Sequence, residues 1–384
     1  MNNEHIAILG RQPKLGLAEL EAVYGDRVFV LTESVVKITT KPDLARLGGS
    51  KKIGQIIGVS TKKDILELCA KHIQFLHGKI TVGFSAFNSR LTPFELQSFG
   101  IQLKKTAKKS GQSVRVIPNR AVELSTATSF HNRLGSTPNK IEFLLVEKDQ
   151  KIIIATLTQT QNINQYRERD QKRPCRDAFV GMLPPKLAQI MLNLATGDHP
   201  IAGKTVLDPF CGTGVILQES LLLGAQAYGT DLNPKMVDYS KQNLDWLKRK
   251  MLHQNWATKV ALGNATSYQW EPPIDFVVSE TYLGQHFSAP PSPEKLRQVS
   301  ETTQKIVQAF LQNLAPQIKS NTPICIAIPA WKCENGTFYH LKILDLVGSL
   351  GYNVKSFKHV GQQDLLYYRE SQVVARELLV LRRK

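Results

Sequence analysis

From Lys204 to about Val380, short apolar runs alternate with amphipathic stretches: KTVLDPF, then GVILQESLLLG, then AQAYGTDLN and a helical segment. Such a rhythm forces parallel strands joined by crossover helices, so this half is expected to form an open α/β sheet. Within it, VLDPFCGTG (Val206 to Gly214) is the sharpest feature. An apolar strand ends at Asp208, a glycine-bearing turn follows, and a helix begins after Gly214. Strand C-termini and a helix N-terminus converge there, offering free N–H groups and a positive dipole to a ligand.

Gly212 and Gly214 allow close approach of the backbone to that ligand. Asp231, in GTDLNP, ends the next strand, where a carboxylate accepts hydrogen bonds from the ribose hydroxyls of an adenosine-containing cofactor. Asn264, in GNAT, ends a further strand within reach of an adenine edge. The candidate cofactor residues are Asp208, Pro209, Phe210, Gly212, Gly214, Asp231, Leu232, Asn264 and Ala265. The spacing does not fit a dinucleotide fold, which requires GxGxxG. The bland alternative is a generic strand–turn–helix in which Asp208 caps a helix.

The N-terminal half reads differently. HIAIL and an amphipathic stretch ending at Gly25 precede the strand-like runs RVFVLTES and VVKITT and a helix through Asp64 to His72. From Lys79 the order is strand KITVGFSAF, helix LTPFELQSFGIQLKKTAKKSG, strand SVRVIP, a helical turn SFHNRLG, and paired strands turning at Lys148 to Gln150. Residues 161–182, basic and nearly aperiodic, read as a linker before an amphipathic helix from Leu183 to Ala195. A final antiparallel hairpin, Tyr367 to Leu381, is expected at a sheet edge.

Charge separates the halves. Net charge is +17, and residues 1–195 hold 29 Lys+Arg against 16 Asp+Glu, whereas residues 196–384 hold 20 against 16. A field concentrated in one half points to a polyanionic partner. Lys104, Lys105, Lys108 and Lys109 fall near one helical face, with Arg115 and Arg120 flanking the next strand, positions suited to phosphate contacts. A solvated helix face is the alternative. Arg167, Arg169, Arg173 and Arg176 either guide RNA or form a clasp through Asp170 and Asp177. His131 is expected to pack or cap.

Five cysteines without CxxC spacing argue against a disulfide framework and a zinc site. The apolar runs are too short to span a bilayer, and MNNEHIAILG lacks a secretory pattern. A cytoplasmic protein that binds no metal is expected. Oligomeric state is not legible.

The motifs DPFCGTG, GTD and GNA together resemble the class I S-adenosylmethionine-dependent methyltransferases, and DPFCGTG resembles their nucleic-acid amino-methylating branch. LGRQPKLGLAELEAVYG, RERDQKRPCRDAFVGMLPPKLAQIMLNLA and YYRESQVVARELLVL extend the resemblance, over nearly the whole chain, to the archaeal and eukaryotic-type tRNA guanosine-10 N2-methyltransferases. That resemblance implies a ferredoxin-like α+β domain (1–75), a THUMP RNA-binding domain (76–160), a basic linker (161–182) and a Rossmann-like α/β methyltransferase domain (183–384). It implies S-adenosylmethionine as cofactor and tRNA as partner.

One position departs from the pattern. The family's usual Asp/Asn/Ser-Pro-Pro-Tyr/Phe is here SETY, Ser279 to Tyr282, at the tip of the strand containing Val277 and Val278. Methylating an exocyclic amine needs an exposed base, an aromatic face and acceptors for the amine protons. Tyr282 matches the stacking residue and Ser279 the first polar position, while Glu280 is expected to take over an acceptor role left by the lost prolines. The alternatives are an RNA-binding protein with an altered methyltransferase domain, and an N-methyltransferase acting on another RNA nucleotide. HFSAPPSPEKL (286–296) is either a lid or a loop.

Overall fold

The computed structural model describes residues 3–177, 182–251 and 256–384, and the chain divides into two compact units. The first comprises residues 1–17 and 24–165, the second 18–23 and 166–384.

In the first unit, β1 (His5–Leu9), the ends of α1 (Pro13–Tyr24, whose residues 18–23 belong to the second unit), β2 (Val28–Val30), β3 (Val35–Ile38), β4 (Ser50–Ser60) and α2 (Ile65–Ile73) lead into β5 (Lys79–Phe87) and α3 (Pro93–Lys109). Then follow β6 (Ser113–Val116), α4 (Thr126–His131), β7 (Lys140–Lys148), β8 (Lys151–Thr160) and the start of α5 (Ile163–Gln171). One sheet, ordered β2-β3-β1-β4-β8-β7-β5-β6, runs unbroken past the boundary expected near residue 75, because β4 pairs with both β1 and β8. The strand β4, absent from the sequence reading, is 11 residues long. A capping box starts α3: Thr92 Oγ1 accepts from Glu95 N at 3.2 Å while Glu95 Oε2 accepts from Thr92 N at 2.8 Å. The β7–β8 hairpin turns at Asp149 and Gln150, both at positive φ, as a two-residue turn of matching twist requires.

A charged network lies wholly inside this unit. Lys52 Nζ donates to Glu142 Oε1 and to the Leu124 carbonyl, both at 2.6 Å, and Ser85 and Ser129 hydroxyls donate to the same carboxylate at 2.6 Å. Neither Lys52 nor Glu142 is exposed, so removing one partner alone leaves an unpaired buried charge and costs roughly 3–5 kcal/mol.

The second unit begins with the remainder of α5. Asn162 Oδ1 accepts from Gln165 N at 3.1 Å and caps the helix, while Arg169 pairs with buried Glu219 at 2.7 Å. Part of the expected linker is therefore helical; residues 178–181 of it lie outside the described residues. α6 (Pro185–Thr196) is almost entirely buried. β9 (Thr205–Asp208), α7 (Val215–Leu222), β10 (Gln226–Asp231), α8 (Pro234–Met251), β11 (Thr258–Leu262), β12 (Phe276–Glu280), α9 (Pro293–Leu314) and β13 (Pro323–Lys332) show the expected alternation. β14 (Phe338–His340), β15 (Tyr352–Val354), β16 (Leu366–Tyr367) and β17 (Val374–Arg383) complete the sheet.

The main strand order is β11-β10-β9-β12-β13-β17-β15. The first five strands are mutually parallel, whereas β17 runs antiparallel between β13 and β15. The expected terminal hairpin is present as β16–β17, but β17 lies inside the sheet and β15 takes the edge. Leu207, Val277, Ile326 and Leu379 from four successive strands pack with Val307, Phe310 and Leu314 of α9. Strand order reverses between β9 and β12, and in open α/β sheets a ligand binds beyond such a switch point.

Candidate active site

Asp208 and Ser279 end the two strands at the switch point, and Ser279 Oγ donates to Asp208 Oδ1 at 2.6 Å. This bond ties the glycine turn after β9 to the SETY turn after β12. Asp208 also accepts from Phe210 N at 3.3 Å and is 2% exposed. The turn is anchored to β10: Cys211 N donates to the Thr230 carbonyl at 2.9 Å, and Thr230 Oγ1 to the Pro209 carbonyl at 3.1 Å.

Two fully buried polar residues of α8, unnoticed in the sequence, hold the turn's carbonyls. Ser240 Oγ donates to Gly212 O at 2.8 Å, and Asn243 Nδ2 to Thr213 O at 2.9 Å and Cys175 O at 3.0 Å. Their three-residue spacing on an otherwise apolar helical face was the available signal. Gly214 has φ +81°, and a Cβ there would stand 2.8 Å from Ser240 Oγ. Gly212, also at positive φ, faces open space instead, with no atom within 4 Å of where a Cβ would sit.

The Asp231 carboxylate accepts from Gly212 N at 2.8 Å and Asn233 N at 2.9 Å, leaving further lone pairs open. The next residue, Leu232, is 70% exposed, an apolar side chain held in solvent beside that carboxylate. Gly263 N donates to the Asp231 carbonyl at 3.0 Å, bringing GNAT alongside. Asn264 Oδ1 is taken by Thr266, while its amide nitrogen makes no hydrogen bond among the described residues. Ala265 is buried, and Phe210 packs edge-on to Phe310. A two-acceptor carboxylate, an exposed apolar shelf, an available amide and the open face of Gly212 suit the ribose and adenine of an adenosine cofactor.

SETY is tied into the fold by partners that its sequence alone does not show. Ser279 is fully buried and donates its hydroxyl proton to Asp208, while the oxygen keeps its acceptor lone pairs. Glu280 Oε1 is paired with Arg376 Nε of β17, a buried guanidinium that sequence reading missed because it lies 96 residues away. Thr281 N and Oγ1 both donate to the Ala327 carbonyl at 3.0 Å, fixing the turn without proline. Tyr282 is 45% exposed, as a stacking ring must be.

Burial raises the Asp208 carboxyl from an ordinary 3.8 to about 8; the Ser279 bond opposes the rise and Asp231 adds to it. An acid raised in the folded state stabilises the fold fully below its unfolded value and loses that contribution as pH climbs through the folded value. Stability is therefore expected to fall between about pH 4 and 8, by up to about 1.4 kcal/mol per pH unit from this group. Asp208→Asn flattens the decline in thermal melts taken from pH 5 to 8.5. An unchanged slope would place the titrating group elsewhere, Glu219, raised by burial to about 7, being the next in line.

The expected RNA contacts divide. Lys104, Lys105, Lys108 and Lys109 are all exposed on α3 and make no ion pair among the described residues. Phe94, on the same helix, is 83% exposed. Arg115, Arg120, Arg167 and Arg176 are exposed as well. Arg169 is committed to Glu219 rather than to solvent. Arg173 is 3% exposed, and none of its guanidinium nitrogens has a hydrogen-bond partner among the described residues. Of the supposed clasp, Asp177 pairs with Lys235 at 2.9 Å.

A cavity of about 430 Å³ opens elsewhere, in the first unit beside Val59, Asp64, Glu67, Lys71 and Lys151. Glu67 and Lys71 pair across its wall at 2.7 Å, and it contains none of the site residues. Among the described residues no group of three or more His, Cys, Asp or Glu is placed to hold a metal, and no helix is long and apolar enough to cross a membrane.

The strand order, the glycine turn after β9 and the carboxylate closing β10 define the class I methyltransferase fold. A family described as DNA methylase matches residues 57–242, and one described as RMKL-like, methyltransferase domain, matches 173–335. A tRNA (guanine(10)-N2)-dimethyltransferase of Methanothermobacter thermautotrophicus is 29% identical over 42% of this chain and 43% of its own length. A protein of the same name from Pyrococcus abyssi is 36% identical over 32% of each chain. The crystal structure of TrmN from Thermus thermophilus matches over 99% of both chains with a TM-score of 0.51 at 16% identity, a likeness of fold. Over the matched stretches the chain is thus similar to proteins named for methylation of a tRNA guanine at N2. The match spans less than half the length of these curated relatives.

Proposed function

We propose that the chain transfers a methyl group from S-adenosylmethionine to the exocyclic N2 of a guanosine in tRNA, position 10 being the position named for its relatives. The observation that carries this reading is the Ser279–Asp208 bond, which locks the cofactor turn to the acceptor turn at the switch point. When bound, the cofactor supplies an electrophilic methyl group. Asp231 and the Gly212 turn would hold its adenosine, to which Leu232 would offer an apolar contact and Asn264 a polar one. Tyr282 offers the face on which an extruded guanine stacks. The Thr281 carbonyl, which accepts no bond from the described residues, receives an amine proton and turns the nitrogen lone pair toward the methyl.

A second reading rests on a specific observation: Ser279 is buried, and one oxygen of Glu280 is engaged by Arg376. The protein would then hold RNA and cofactor without turnover. Labelled S-adenosylmethionine and unmodified tRNA transcripts separate the two. N2-methylguanosine in the nucleoside digest, identified by mass spectrometry, is the expected product. No transfer despite measurable binding of both ligands would establish the binding protein instead.

A further inference from the structure

We propose that Glu280 selects guanine over other purines by accepting the N1–H of the target base. This rests on the guanine-N2 reading above and names the determinant of its base choice. The carboxylate is divided in use. Oε1 is taken by Arg376 Nε, whereas Oε2 makes no hydrogen bond among the described residues. The side chain is 15% exposed: reachable by a ligand, yet shielded enough that a poor partner is not readily replaced by water. The buried guanidinium supplies the countercharge and fixes the direction of the carboxylate. Both groups lie at the end of the sheet that holds the Asp208–Ser279 bond, with the exposed Tyr282 ring two residues further on.

The chemistry of the base completes the argument. An ionised carboxylate only accepts hydrogen bonds. The Watson–Crick edge of guanine offers two adjacent donors, N1–H and the N2 amine, and an extruded base is read on that edge. Adenine and 2-aminopurine present a lone pair at N1, which would face the Oε2 lone pair with neither group satisfied. A site built around one polar partner rejects an analogue that lacks it far more strongly than an apolar pocket does. Proline in place of Glu280, as in the usual motif, has no side-chain acceptor for N1–H. The substitution thus adds a base-reading contact where the common motif reads the amine alone.

The test uses full-length protein and tRNA in which the guanosine found to be methylated is replaced by 2-aminopurine, which keeps the N2 amine but has an unprotonated N1. Wild-type protein is expected to favour guanine by about 30-fold or more in kcat/KM. Glu280→Gln, whose amide can present its NH2 to an acceptor, is expected to narrow the preference to about fivefold or less. A wild-type preference below about threefold overturns the proposal, and this comparison decides the matter even if the variant does not fold. An undiminished preference in a folded Glu280→Gln protein overturns it too, by assigning the discrimination to the missing O6. If wild-type protein methylates both bases equally, guanine-N2 transfer stands and only the role of Glu280 falls. If it methylates neither, both fall.

Discussion

Asp231→Ala is expected to weaken S-adenosylmethionine binding by about two to four orders of magnitude, the loss of two hydrogen bonds to a charged acceptor at roughly 1.5–3 kcal/mol each. The cost has two sources. The ribose hydroxyls lose their acceptor, and Gly212 N and Asn233 N lose the carboxylate that orders the turn. Asp231→Asn separates them, since its single amide oxygen can still hold Gly212 while offering less to the ribose. Isothermal titration calorimetry with the cofactor and with S-adenosylhomocysteine reads the difference. Alanine binding within threefold of wild type would rule out a ribose contact at this position. Thermal stability without ligand is expected to fall for Asp231→Ala and to change little for Asp231→Asn.

The second large effect concerns RNA. Changing Lys104, Lys105, Lys108 and Lys109 together to glutamine is expected to lower tRNA affinity by about 100-fold at moderate salt, because a phosphate that meets no ammonium group keeps its condensed counterion instead of releasing it. The slope of log affinity against log salt should become shallower by about 3, at roughly 0.7–0.9 for each neutralised phosphate. Affinity measured from 50 to 250 mM salt gives both quantities. All four lysines are exposed and lack ion pairs among the described residues, so thermal stability should barely move. Methyl transfer should recover at saturating tRNA, marking a defect in binding rather than chemistry. An unchanged salt slope would make this helix face a solvated surface and move the RNA contacts to Arg115, Arg120, Arg167 and Arg176.

The cofactor side of the site was legible because its determinants are local. Asp208, Gly212, Gly214 and Asp231 lie at the ends of short β-α units, and their positions follow from the turn each occupies. The acceptor side was less so. Ser279 and Glu280 were located in the chain, but their partners Asp208 and Arg376 are 71 and 96 residues distant, a separation no periodicity reveals. The same limit hid β4. Its glycines and paired lysines, KKIGQIIG, read as surface polarity until Glu142, 90 residues on, shows why Lys52 is inside. Gly54 is small because Leu144 needs the space: a Cβ there would stand 2.7 Å from its Cδ1. Arg173 failed in the opposite sense, since a basic run says nothing about which of its members the fold will bury.

The Lys52–Glu142 pair also bears on how the first unit reaches its final form. The strand β4 joins two halves of an eight-stranded sheet, and its register with β8 shifts beside Gly54 and Gly58. A slip of one residue would turn Lys52 to the opposite face and leave the buried Glu142 carboxylate without its countercharge. The cost of that unpaired charge adds to the apolar pattern in penalising a one-residue misalignment of the strand.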